Sequence, residues 1–346
     1  MSPRASRIVV ADDSRFMGRL LSSALEEAGF EVVALAADGD EALAACERLH
    51  PDALSLDLAM PGKNGLDVLR ELRRAGSPIP VVVVSAFSPA FGAHAVDALA
   101  EGAFELVAKP AAGDPLETFL SELAQKMNMA ANRERPRRPT RAHPGAAPSP
   151  NGVRATPHTG RARTVVIACS TGGPQALTQL VPKLPGKLGA GTLIVQHMPP
   201  GFTGSLAERL NNLSALSVQE AAGGEKLEPG RALLAPGGRH LRLVNGTAKL
   251  SDEPAIGGLR PRADLTIAAV AAKFGPDVLL VVLTGMGKDG LEGAREVKKN
   301  GGRVLAEAEA SCVVYGMPRA VVEENLADQV LELRDLPAAI AREARG

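Results

Sequence analysis

A chain of 346 residues carrying 39 basic and 39 acidic side chains has no overall field with which to recruit nucleic acid or acidic lipid. With eight Phe, one Tyr and no Trp it also has little to stack on bases, so its partners are expected to be proteins or small molecules. Its three cysteines, Cys46, Cys169 and Cys312, lack metal-type spacing, and no apolar stretch is long enough to span a bilayer, which together suggest a cytoplasmic protein without disulfides, zinc or direct membrane insertion.

From residue 7 onward, short Val/Ile/Leu-rich runs at 7–13, 31–37, 53–58, 81–86 and 105–108 alternate with amphipathic stretches. Near-continuous apolar runs separated by helical patterns predict a parallel five-stranded sheet covered by helices, filling a first domain over 1–127. Over 128–162 the periodicity stops, Arg and Pro dominate and Glu134 is the one acidic residue, which predicts a flexible, semi-extended linker. Strand-like runs resume at 164–169, 192–196, 232–235, 278–284 and 303–306 with helical patterns between several of them, so 163–346 reads as a second, mainly parallel α/β domain. Asn245-Gly246, set between apolar alternations at 240–251, predicts a β-hairpin. No internal repeat is visible.

In the first domain Asp12 and Asp13 follow the first apolar run and Asp57 ends the third, so three carboxylates gather where strands end and ligands bind in open α/β sheets. Such a cluster repels itself unless a hard divalent cation such as Mg²⁺ joins it. Asp57 is then the natural phosphoryl acceptor, with Lys109 to neutralise the group and Ser85 to hydrogen-bond it. The motifs V-V-A-D-D-S at 9–14, L-D-L-A-M-P-G-K-N-G at 56–65, V-S-A at 84–86 and A-K-P at 108–110 resemble the two-component response-regulator receiver family, of flavodoxin-like fold. The resemblance covers about 7–127 and implies Mg²⁺-dependent phosphorylation of Asp57 by a partner histidine kinase. One departure is Leu106, where receivers often carry an aromatic switch residue.

In the second domain A-C-S-T-G-G-P at 168–174 sets Ser170 on a glycine-rich strand-to-helix turn, where free helical N–H groups can stabilise an oxyanion. A serine hydroxyl needs a base, and Q-H-M-P at 196–199 supplies His197 at the end of the next strand run. T-G-M-G-K-D-G at 284–290 supplies Asp289 to fix the imidazole. The chain order Ser, His, Asp and the absence of G-x-S-x-G argue against the α/β-hydrolases. Cys169 adjoins Ser170 as a rival nucleophile, but successive strand residues face opposite ways, and His240 is expected to structure or line the cleft rather than act as the base.

Together with P-P-G-F-T at 199–203, A-P-G-G-R-H at 235–240 and Y-G-M-P-R-A at 315–320, these motifs resemble the chemotaxis-type protein-glutamate methylesterases over about 163–333. That resemblance implies a Ser170, His197, Asp289 triad with oxyanion donors near Thr171 and Met286, Gly172 lying beside them. It further implies hydrolysis of glutamyl γ-methyl esters on a chemoreceptor with no cofactor for the hydrolysis; the same acyl chemistry extends to deamidation of receptor glutamines as a second activity, and the tandem arrangement with its flexible linker leads to the expectation that the receiver covers the catalytic cleft until Asp57 is phosphorylated. Ala168, Arg262 and Glu307 depart from the usual pattern, and the last two are expected to alter the charge of the cleft. A monomer is expected. The competing reading is a phosphate sink or binding regulator controlling an output other than swimming.

Overall fold

A computed structural model of the chain describes residues 4–86, 89–111, 113, 115–132 and 160–345. The chain divides into two compact units, Met1–Arg133 and Glu134–Gly346. Most of the expected linker, residues 133–159, lies outside the described residues.

The first unit alternates β1 (Arg7–Ala11), α1 (Arg15–Glu27), β2 (Glu31–Ala36), α2 (Gly39–Leu49), β3 (Ala53–Asp57), α3 (Gly65–Arg74), β4 (Val81–Ala86), α4 (Pro89–Ala100), β5 (Glu105–Lys109) and α5 (Leu116–Ala131). All neighbouring strands are parallel, in the order β2-β1-β3-β4-β5. Helices α1, α2 and α3 begin where the sequence provides caps: the side chains of Ser14, Asp38 and Asn64 accept from the backbone N–H of Met17, Glu41 and Asp67. Strand β1 stops two residues short of the expected end because Asp12 turns its carboxylate back onto Ser14 N–H, at 2.9 Å. Helix α5 continues to Ala131, past the expected domain boundary at 127, because Leu123, Met127 and Ala130 continue its buried stripe.

The second unit contains β6 (Thr164–Cys169), α6 (Gly173–Leu180), β7 (Thr192–Gln196), α7 (Phe202–Leu213), β8 (Ser217–Glu220), β9 (Arg231–Leu234), β10 (His240–Val244) and β11 (Thr247–Ser251). It continues with α8 (Ala263–Phe274), β12 (Val278–Val282), α9 (Leu291–Lys299), β13 (Arg303–Glu307), α10 (Met317–Glu323), β14 (Gln329–Leu331) and α11 (Leu336–Glu343). Seven parallel strands form one sheet in the order β14-β13-β12-β6-β7-β9-β8, and β10 and β11 make the separate antiparallel hairpin expected around Asn245-Gly246. The central strands β6, β7, β12 and β13 are buried along their whole length, which is why they read as unbroken apolar runs. Strands β8 and β14, absent from the sequence reading, are sheet edges with largely uncovered faces.

Both sheets have a switch point where the chain changes direction across the sheet, between β1 and β3 in the first and around β6 in the second. A crevice opens beyond the carboxyl ends of strands at such points. Its floor needs close backbone approach. A Cβ on Gly65 would lie 2.2 Å from the Asp57 carbonyl oxygen and 2.9 Å from Leu58 Cα. Gly65→Ala is therefore expected to cost about 2 kcal/mol or more of the first unit's stability, read as a lowered denaturation midpoint in urea.

Candidate functional site

At the first switch point, one carboxylate oxygen from each of Asp12, Asp13 and Asp57 lies within 4.8 Å of the others. Asp12 and Asp57 are buried and Asp13 is exposed. Lys109 reaches from the end of β5 to bond both buried carboxylates, at 2.8 Å to Asp12 Oδ2 and 2.6 Å to Asp57 Oδ2. Burial pushes the Asp12 carboxyl up, and the bonds and charge of Lys109 pull against it without cancelling it. For Lys109 the balance is reversed: burial disfavours the ammonium, but its two carboxylate partners hold its pKa above the ordinary lysine value. Three hard oxygen donors converging from two strand ends suit a small divalent cation, which keeps waters and adds phosphate oxygens to a few carboxylates. Ser85 is buried on the adjacent strand with its hydroxyl donated to Ala86 O at 3.3 Å.

At the second switch point, strand register sets the geometry. Cys169 of β6 pairs with Gln196 of β7, and His197 N–H donates to the Cys169 carbonyl at 3.1 Å. Ser170 and His197 thus leave the sheet side by side on adjacent strands. On the other flank of β6, Ser170 N–H donates to Thr284 O at 3.1 Å. The turn beyond β12 carries Met286, which is exposed, and then Asp289, which is buried. Asp289 Oδ2 lies 2.8 Å from His197 Nε2.

The turn holding Ser170 is fixed by side chains that the motif reading passed over. Gln196 Nε2 donates to both the Ser170 carbonyl, at 3.0 Å, and the His197 carbonyl, at 2.8 Å. A Cβ on Gly173 would lie 1.9 Å from Gln196 Oε1. Gly172, at φ +78°, turns the chain into α6, and a Cβ there would meet the side chain of Val313 at 2.5 Å. Thr171 is buried under this turn, its carbonyl accepting from Thr284 Oγ1 at 3.0 Å.

Asp289 is held by more than His197. Ala263 N–H donates to its Oδ2 at 2.7 Å, while Asp264 N–H and Gly290 N–H each donate to its Oδ1 at 3.0 Å. It therefore sits on the buried first amides of α8, where helix geometry leaves N–H groups without intrahelical partners and favours negative charge. The arrangement is reciprocal, because Asp264 Oδ1 accepts from Gly290 N–H at 2.8 Å and Gly293 N–H at 2.9 Å at the start of α9. Burial works against ionisation of Asp289, but the His197 bond and charge and the Asp264 amide outweigh it and hold the carboxyl well below its usual range. Asp264 moves the other way, raised by burial and then by the charge of Asp289.

An ionised carboxylate only accepts, so the His197 proton lies on Nε2 and the lone pair on Nδ1. Nδ1 is buried without a hydrogen-bond partner, so no bond between it and Ser170 Oγ is formed in this structure. Serine–base contacts are often open until substrate binds.

Both rival residues are buried. Cys169 is wholly buried, its Sγ against Val195 O at 3.8 Å, and burial followed by the charge of Glu307 pushes its thiol far above the ordinary value. His240 is also wholly buried, with Nε2 3.2 Å from Pro254 O, which makes it part of the support beneath the hairpin. Glu307, expected to alter the charge of the cleft, is buried, its carboxyl accepting from Thr284 N–H at 2.8 Å and Ser311 Oγ at 2.9 Å. Arg262 does lie at the site, Nη2 2.8 Å from Asp264 Oδ2 and Nε 3.6 Å from Asp289 Oδ1.

Asp289→Asn would turn an amide N–H₂ toward backbone donors and is expected to cost about 3 kcal/mol at pH 7. Because the folded value is lowered, that contribution is present above the unfolded carboxyl value of about 4 and is lost as pH falls below it. Denaturant titrations of the two proteins should show their stabilities converging below about pH 4.

Comparison with known proteins places this geometry in a family. A model of the CheB methylesterase family matches residues 165–340, and a response-regulator receiver domain model matches 8–121. A protein-glutamate methylesterase/protein-glutamine glutaminase of Symbiobacterium thermophilum is 42% identical over 98% of this chain and 97% of its own length. A second, from Myxococcus xanthus, is 43% identical over 98% of each chain. The crystal structure of the Thermotoga maritima CheB methylesterase catalytic domain aligns with 52% of this chain and 98% of its own, with 45% identity and a TM-score of 0.51. With a receiver domain at 8–121 followed by a catalytic domain at 165–340, the chain belongs to the CheB methylesterase family.

Proposed function

We propose that this protein is a phosphorylation-regulated protein-glutamate methylesterase acting on chemoreceptors, with Ser170 as nucleophile, His197 as general base and acid, and Asp289 as the acid that orients the imidazole. The observation that carries this reading is the juxtaposition of Ser170 and His197 on adjacent strand ends, with Asp289 bonded to His197 at 2.8 Å.

In the proposed reaction, His197 Nδ1 takes the Ser170 proton as Oγ attacks the γ-carbonyl carbon of a glutamyl methyl ester. The resulting oxyanion is met by backbone N–H groups at the Thr171–Gly172 turn and in the Met286 loop. The tetrahedral intermediate collapses with cleavage of the bond to the methoxy oxygen, which leaves as methanol with the proton from His197. Water then gives a proton to Nδ1 as its oxygen attacks the acyl-enzyme ester; the bond to Ser170 Oγ breaks as Oγ takes that proton back from Nδ1, and the freed glutamic acid ionises to the carboxylate. A glutamine side chain follows the same course with ammonia as the leaving group, in keeping with the glutaminase in the names of the relatives. Throughout, Asp289 neutralises the imidazolium and holds Nε2 as a donor.

Regulation is assigned to Asp57, with a histidine kinase as phosphodonor. Asp12, Asp13 and Asp57 would hold Mg²⁺, which neutralises phosphoryl oxygens during transfer. Lys109, already bonded to Asp57, is placed to follow the charge from carboxylate to acyl phosphate. Ser85 would have to give up its bond to Ala86 O to reach the phosphoryl group.

Methanol release from a methylated receptor fragment tests both assignments. Ser170→Ala should lower the rate by about 10³-fold or more while leaving a cooperative melt intact. A rate within tenfold of wild type would overturn the triad. Asp57→Asn should keep basal hydrolysis but lose the stimulation that a small acyl phosphate and Mg²⁺ give the full-length protein. Equal stimulation in the variant would remove Asp57 from the scheme.

A further inference from the structure

We propose that Arg262 is a positioning residue for the hydrolytic centre, holding Asp264 and Asp289 ionised side by side so that Asp289 keeps its full charge toward His197. The inference rests on the assignment of Asp289 to the triad. Two largely buried carboxylates share the amides at the starts of α8 and α9, each accepting from the other's helix. Like charges in one pocket favour uptake of a proton by one member of the pair. Backbone N–H groups oppose this with partial charges, and Arg262 adds a full one.

Its guanidinium is fixed on three sides, with Nη1 donating to Ile256 O at 3.1 Å, Nη2 to Asp264 Oδ2 at 2.8 Å, and Nε lying 3.6 Å from Asp289 Oδ1. The side chain is 21% exposed, so it is only partly screened by water. Around the pair, the start of α8 provides Arg262 and Asp264, the end of β7 provides His197, and the turn before α9 provides Asp289. Glu292 on α9 is turned to Arg295, Arg260 donates to the carbonyls of Asp252 and Glu253, and Lys288 is exposed. Among the described residues, Arg262 is thus the cation paired with Asp264.

The consequence of losing it is specific. A proton on Asp264 turns a group that repels Asp289 into one that can donate to it, and that donor competes with His197 Nε2 for the same carboxylate. The hydrolytic centre would fail first on the acid side of its pH range, while its alkaline plateau would change little.

The test is the pH dependence of kcat/KM for methanol release by the full-length protein, with Arg262→Gln, Arg262→Lys and Ser170→Ala in parallel. Arg262→Gln keeps a hydrogen-bond donor without the charge, and its acid limb should move up by about 0.5 to 1 pH unit with the alkaline plateau within about twofold. Arg262→Lys should restore the wild-type limb. An unmoved limb in Arg262→Gln, a loss equal at every pH, or the same shift in Arg262→Lys would overturn the role of Arg262. Should Arg262→Gln fail to fold, the decision falls to Arg262→Lys, whose limb must coincide with wild type. Hydrolysis that survives in Ser170→Ala would instead overturn the triad reading on which the proposal rests.

Discussion

Asp289 brings a carboxylate into the interior next to a second one, Asp264, and the second unit is arranged so that both can remain there. Removing such a group from water is costly enough that, without compensation, it would take up a proton. The compensation comes from helix starts. Amides of Ala263 and Asp264 serve Asp289, and those of Gly290 and Gly293 serve Asp264. Neither helix could shift along its axis without stripping donors from the other's carboxylate. The exchange therefore locks α8 to α9 and, through Asp289, fixes where the imidazole of His197 can lie. Orientation of the histidine is in this sense a product of helix packing.

The receiver solves the same problem differently. Asp12 and Asp57 are also buried and close, but their main partner is the ammonium of Lys109, a mobile point charge on a flexible stem. A permanent set of backbone donors suits a carboxylate that must never change state. A single movable cation would suit one that, under the proposed regulation, gains and loses a phosphoryl group. The contrast follows from what each site is asked to do, and it is written in the choice of partners more than in the carboxylates themselves.

Much of this is legible in the sequence because the central strands are buried on both faces and so appear as unbroken apolar runs ending in the candidate site residues. Asp57, Ser170 and His197 each stand at or just after such an end. Edge strands β8 and β14 could not be read this way, since exposure breaks the apolar pattern. Asp264 was missed for another reason. It lies one residue into a helix, where an aspartate ordinarily signals only a favourable first turn, and its second function depends on Gly290 and Gly293 at the start of α9, 26 and 29 residues further along the chain. Gln196 was quoted as part of a motif, yet its bridge between the Ser170 and His197 carbonyls depends on the register of two parallel strands.

Glu307 shows how a departure from the family pattern can be absorbed away from the cleft. Both carboxyl oxygens have donors, Thr284 N–H on one and Ser311 Oγ on the other. Burial still raises its pKa above that of an ordinary glutamate. Thr284 in turn accepts from Ser170 N–H through its carbonyl and donates from its hydroxyl to the Thr171 carbonyl. The chain of contacts runs from Glu307 through one threonine to the turn that carries the serine. A carboxyl here can replace an amide because Glu307 is asked only to accept; the Thr284 amide would be left unsatisfied by an apolar side chain, but not by either oxygen-bearing one.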